Sequence, residues 1–185
     1  MSKSIIKLIV SVALLATSLS ILAAVMTQDE AKVRSNVQGF SALADQGAFE
    51  YLGRLFASEV TVDYTSLWGG EPATVSNVEL MQQWAGFLPG FDTTFHELEA
   101  PMVTVQGSTA TANVNFTARH WLGESGFWSV SGSYDFTLSK VGEDWVIEAL
   151  KLNLEDETGS RDVLAEAPKF AVEKQNQREA KLLSY

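Results

Sequence analysis

The chain of 185 residues contains no cysteine. That excludes disulfide frameworks, thiolate nucleophiles, zinc ribbons and iron–sulfur clusters. Histidine is almost absent: the two present, His96 and His120, leave little room for a histidine-rich metal site. Basic residues are few, with 13 Lys and Arg against 23 Asp and Glu and a formal net charge of −10. Nucleic-acid binding needs a basic face that displaces counterions, so no nucleic-acid partner is expected. No phosphate-cradling glycine loop, nucleophile elbow or dinucleotide fingerprint occurs. What the chain does have is apolar material, 46% hydrophobic and 10% aromatic, ample for one core and unlike a disordered segment.

The first 26 residues read as a targeting segment. Lys3 and Lys7 precede an apolar run, Leu8 to Met26, interrupted only by Ser and Thr. A short basic region followed by such a run is the pattern of a secretory signal. An uncleaved membrane anchor is the alternative, because the run approaches the ~20 residues that span a bilayer. In both cases the remainder is expected to be exported, periplasmic or secreted, with no membrane contact beyond this segment.

From Thr27 onward one domain is the simplest reading, 27–158, followed by a helical tail, 159–185. Val33, Val37, Phe40 and Ala44 recur at the spacing of one helix face, so 27–44 is expected to be a helix that Gln46-Gly47 ends. A shorter helix is expected over 48–56 and a strand over 60–64. Ser76-Asn77-Val78-Glu79 fits a capping box that opens a helix bearing Leu80, Trp84, Phe87 and Leu88. Thereafter the chain turns β. Strands over 94–105 and 108–121 flank Gln106-Gly107, and strands over 126–140 and 144–154 flank Gly142-Glu143. The acidic run Glu155-Asp156-Glu157 reads as a loop, and a polar helix over about 160–183 is kinked or restarted at Pro168. Helices first and strands after indicate an α+β fold: a strongly curved, mostly antiparallel sheet wrapped around N-terminal helices and enclosing an apolar pocket.

Strand alternation says which side chains face that pocket. Over 110–120 the even positions read Ala, Ala, Val, Phe, Ala, His and the odd ones Thr, Asn, Asn, Thr, Arg, so His120 lies on the apolar face. Tyr64 shares parity with Val60 and Val62, and His96 with Leu98 and Ala100. Trp128, Gly132, Tyr134 and Phe136 share a face in the next strand. A buried polar group is costly without a partner, so two inward histidines and a tyrosine on one face favour a shared polar site over two isolated core histidines. No metal is expected there, since the histidines are not at helical spacing and HExxH is missing. Trp68, Trp84, Phe87, Phe91, Phe95, Phe116, Trp128, Tyr134 and Phe136 are candidates for pocket wall. Trp121, Asp63, Asp92 and Arg119 are expected on outer or solvated surfaces.

The order of Val62-Asp63-Tyr64-Thr65-Ser66, a helix carrying Trp84, Thr94-Phe95-His96, Ala118-Arg119-His120, Gly132-Ser133-Tyr134 and a Trp145 strand resembles the SnoaL-like branch of the nuclear transport factor 2-like superfamily, with its scytalone dehydratase and bile-acid dehydratase families. The resemblance covers about 29–154. It implies a cone-shaped fold and a site in which Asp45 pairs with His120, with His96 as second histidine and Tyr64 as substrate-polarising phenol. Ala44 stands where the family has a second tyrosine, and Gly132 and Tyr134 fall near a family serine and asparagine. The implied activity is that of a lyase or isomerase: cofactor-independent dehydration or isomerisation of a small hydroxylated carbonyl compound. Asp45, Tyr64, His96 and His120 would be catalytic, and Trp68, Trp84, Phe87, Phe116, Trp128 and Tyr134 would bind a small apolar or aromatic ligand. A non-catalytic binding module of the same fold is the alternative, and a homo-oligomer, a dimer formed through the outer sheet face, is expected.

Overall fold

The structure is a computed structural model that describes residues 26–124 and 126–182; the segment expected to be a targeting signal, 1–26, lies outside the described residues apart from Met26. Helix α1, Gln28–Asp45, starts with a capping box in which Thr27 and Glu30 satisfy each other's free backbone donors. It buries Val33, Val37, Phe40 and Ala44, the stripe that its spacing predicts. Gly47, at φ 66°, provides the left-handed turn that ends it. Helix α2, Phe49–Gly53, is shorter than expected, because Phe56 already belongs to strand β1, Phe56–Asp63. After the single turn α3, Thr65–Trp68, and strand β2, Ala73–Ser76, the Ser76/Glu79 capping box opens α4, Asn77–Ala85. A 3-10 turn, Leu88–Gly90, follows.

The expected strand over 94–105 is two: β3, Thr93–Leu98, and β4, Met102–Gln106. Pro101 has no N–H to donate to a ladder, and the chain breaks there. Both halves pair antiparallel with β5, Thr109–Leu122, β3 against its second half and β4 against its first. Strands β6, Gly126–Val141, and β7, Asp144–Gly159, complete one seven-stranded sheet of order β2-β1-β7-β6-β5-β3, with β4 as the seventh strand beside β3 on the same edge of β5; only β1 and β7 run parallel. Glu155-Asp156-Glu157 is therefore strand, not loop: Asp156 pairs with Ser131 and Glu157 with Val130. Twice β7 carries one residue more than β6, at Glu148 and Glu155, and such bulges bend and twist a ladder. The result is a large, curved, unclosed sheet with the N-terminal helices packed in its concavity.

At the second bulge Gly132 is required by geometry, since a Cβ there would sit 2.0 Å from the Asn153 carbonyl oxygen. The core centres on Phe40, whose ring meets those of Phe56, Trp84, Tyr134 and Phe136 edge-on with centroids at 5.6–6.2 Å. Asn36 Nδ2 joins helix to sheet by donating to the Trp145 carbonyl at 2.7 Å. The chain ends in α5, Asp162–Glu166, a 3-10 segment, Ala167–Phe170, containing Pro168, and α6, Ala171–Leu182. This tail folds back over the Leu88–Gly90 turn: Lys174 donates to the Gly90 carbonyl and pairs with Asp92, and Arg178 donates to the Phe91 carbonyl.

Candidate active site

Asp45 is the last residue of α1, and Gln46-Gly47 turn the chain away so that its carboxylate meets the free edge of β3. Three donors converge on it. The His96 backbone N–H donates to Oδ2 at 2.7 Å, Thr94 Oγ1 donates to Oδ1 at 2.9 Å, and His96 Nδ1 lies 2.5 Å from Oδ1. Burial pushes the carboxyl's pKa up, but the His96 and Thr94 contacts together outweigh it and hold the value below the usual aspartate range. Asp45 is thus an anion at neutral pH. It fixes the His96 ring with Nδ1–H towards the carboxylate and leaves Nε2 without a hydrogen-bond partner among the described residues, on a ring that lines the central cavity.

The expected Asp45–His120 pair is not formed. On the β3/β5 ladder Thr94 stands opposite His120 and His96 opposite Ala118, so the two histidines are diagonal neighbours with ring centroids 5.4 Å apart. The carboxylate at the β3 edge reaches the nearer one. His120 lies deeper, 3% exposed, against Phe91 at 4.9 Å and Trp128 at 4.8 Å. Burial, reinforced by the neighbouring His96, pushes its pKa down to about 3; the Trp128 backbone and the Asp45 charge oppose this without outweighing it. His120 is neutral at pH 7, and its Nδ1 has no hydrogen-bond partner among the described residues.

A cavity of about 360 Å³ opens inside the cone. Tyr64, His96, His120 and Tyr134 supply polar groups to its wall, and Trp68, Trp84, Phe87 and Trp128 supply aromatic surface. Among the described residues no Asp, Glu, Lys or Arg lines it. Burial pushes both phenols up; for Tyr134 the nearby Tyr64 and Asp45 add to this, so both stay protonated and able to donate. Phe116 does not line the cavity: it stacks behind Tyr134 at 4.0 Å. Phe91 backs His120, Phe136 is core, and Phe95 is half-exposed on the outer face. Sequence reasoning missed Phe40, Leu67, Leu88, Leu152 and, at the rim, Gln83. Among the described residues no three His, Cys, Asp or Glu side chains are grouped so as to hold a metal ion. Of the groups expected outside, Arg119 pairs with Glu97 at 3.0 Å, Trp121 packs on Phe127, and Asp63 accepts from the Thr65 N–H and hydroxyl just before α3.

The family follows from comparison with known sequences, where residues 25–151 match the SnoaL-like domain. The chain belongs to the SnoaL-like domain family. The SnoaL-like fold is shared with a solved protein of Kribbella flavida, 26% identical, at a TM-score of 0.66 over 70% of this chain and 93% of the other. A scytalone dehydratase candidate from Novosphingobium aromaticivorans is 20% identical, with a TM-score of 0.62 over 71% of this chain and 87% of its own. A dehydratase candidate of the nuclear transport factor 2-like family from Streptomyces avermitilis, 15% identical, gives 0.56 over 71% and 96%. No curated protein matches the chain. The SnoaL-like match ends at residue 151, so the last part of β7 and the C-terminal helices lie beyond it.

Proposed function

We propose that this SnoaL-like protein is a cofactor-independent dehydratase or isomerase that moves a proton on a small, uncharged hydroxy-carbonyl compound. One observation carries the reading: a carboxylate-anchored histidine, Asp45–His96, whose ring lines a cavity that, among the described residues, no charged side chain lines. In a dehydration, His96 Nε2 takes the proton α to the carbonyl while Tyr64 and Tyr134 donate hydrogen bonds to the oxygen that gains charge. Asp45 stabilises the imidazolium so formed. The electron pair of the broken C–H bond becomes the C=C bond, the C–O bond to the β-hydroxyl breaks, and the proton on His96 leaves with that hydroxyl as water. His120 is ill suited to be the base, because a group whose pKa lies near 3 holds a proton too weakly at pH 7. Its part is that of a neutral ring presented to the ligand. The fold of the dehydratase candidates among the solved relatives agrees with this class of reaction. The proposal extends to export of the chain, supported by Lys3, Lys7 and the apolar run that follows.

The test uses β-hydroxy ketones, with 4-hydroxy-4-phenylbutan-2-one as the first probe, incubated with the protein in D2O. Enone formation is followed by absorbance, and deuterium entry at the α-carbon by NMR. Wild type is expected to accelerate one or both, and His96→Gln to lose at least about 100-fold. Equal rates in wild type and folded His96→Gln overturn the assignment. Tight binding with no exchange or elimination across the panel would leave the protein a binding module.

A further inference from the structure

Beyond the SnoaL-like match, the end of β7 and the segment after it reach back to the mouth of the cavity. Arg161 binds Glu157 through two nitrogens, Nε to Oε1 at 2.9 Å and Nη2 to Oε2. Its third nitrogen, Nη1, donates to the Leu67 carbonyl at 3.2 Å, and the guanidinium lies 5.4 Å from the centroid of Trp68. Glu157 accepts in turn from Trp128 Nε1 at 2.8 Å. The two indoles so held are stacked on each other at 6.4 Å, and both line the cavity. Trp68 needs this support. It ends a four-residue helix, is 52% exposed, and is followed by Gly69 and Gly70, both at positive φ with open space around them. The charges of Glu157 and Arg161 are spent on each other, so the part of the mouth they frame offers a ligand aromatic surface.

We propose that Glu157 and Arg161 are positioning residues for ligand selection: they hold the stacked indoles of Trp68 and Trp128 fixed as an aromatic wall, so that this chain's cavity takes an uncharged ligand with a planar ring. A planar ring gains aromatic contact on such a wall only if the indoles are already fixed, since ordering them on binding would cost affinity. The inference rests on the cavity as the ligand site but not on proton transfer by His96.

The experiment measures binding of 2-naphthol, which offers no β-hydroxyl to eliminate, to the full chain by titration calorimetry, beside the circular dichroism of the stacked indoles. Arg161→Met is expected to weaken binding about fivefold, the worth of one aromatic contact, and to diminish the coupled indole signal. Glu157→Gln should act in the same direction, and Arg161→Lys, which lacks the planar fork, should restore binding only partly. In a Trp68→Ala background Arg161→Met should have a smaller effect, left only through Glu157 and Trp128. The proposal falls if wild type does not bind 2-naphthol, if Arg161→Met binds it as wild type does, or if the loss is the same without Trp68. A protein that binds 2-naphthol with this dependence on Arg161 yet leaves hydroxy ketones untouched refutes the proton-transfer reading alone. Turnover of hydroxy ketones with affinity indifferent to Arg161 refutes this inference alone.

Discussion

Lowering the pH from 7 to 5 should destabilise this protein through His120. Its folded pKa is pushed down to about 3 from an ordinary 6.5, so the folded chain refuses a proton that the unfolded chain accepts. Above pH 6.5 neither state binds that proton and the effect vanishes. As the pH falls from 6.5 towards 3 the unfolded state is increasingly favoured, and below 3 the loss stops growing. At pH 5 the gap to 6.5 is about 1.5 units, which at about 1.36 kcal/mol per unit is a loss of about 2 kcal/mol, a sizeable part of the 5–15 kcal/mol stability of a typical domain. The carboxylates with lowered values behave differently: Asp45 contributes stability that is lost only as the pH falls below its ordinary 3.8. Urea unfolding at pH 7, 6 and 5 measures the slope in wild type and in His120→Gln, with His120→Leu as a second variant lacking the titrating ring. The wild-type loss should shrink to a few tenths of a kcal/mol in both variants. An undiminished loss would refute the claim that His120 is held neutral.

Gly90→Ala should undock the C-terminal tail, because the new Cβ would lie 1.8 Å from the Ala167 carbonyl oxygen. A destabilisation of about 1–3 kcal/mol and faster proteolysis within α6 are expected, and neither should appear if the tail is not seated on that turn. Tyr64→Phe removes a protonated phenol from the cavity wall. Turnover of an identified hydroxy ketone should fall about 100-fold with KM little changed if the phenol stabilises developing charge, and a change confined to KM would make it a binding group only.

The faces of the sheet were readable from the chain because side chains alternate strictly along a strand. Parity alone put His120, Trp128 and Tyr134 inward, and all three are buried. Parity does not say how deep along a strand a residue lies. Phe116 is on the correct face yet sits opposite Gly132, behind Tyr134 and away from the cavity. The partner of Asp45 was not readable either, since it depends on a two-residue turn at Gln46-Gly47 and on which edge of β3 is left unpaired. A Thr-x-His pair, Thr94 and His96, with both side chains on one face of an edge strand is the local signal for it. Arg161 was invisible for a related reason: its partners lie on β7 and α3, and only the folded chain brings α3 to it. The acidic run 155–157 misled because its polarity suggested a loop, whereas Glu157 is held in β7 by pairing with Val130 and by its contacts with Trp128 and Arg161.

The central claim is that His96, steadied by Asp45, is the base. Chemical rescue tests it most directly: elimination of 4-hydroxy-4-phenylbutan-2-one, or whichever hydroxy ketone the screen identifies, by His96→Gly with and without added imidazole. The variant should lose at least about 100-fold, and imidazole should restore part of the rate in proportion to its neutral form. An undiminished rate in His96→Gly, or rescue of His120→Gly but not of His96→Gly, would contradict it.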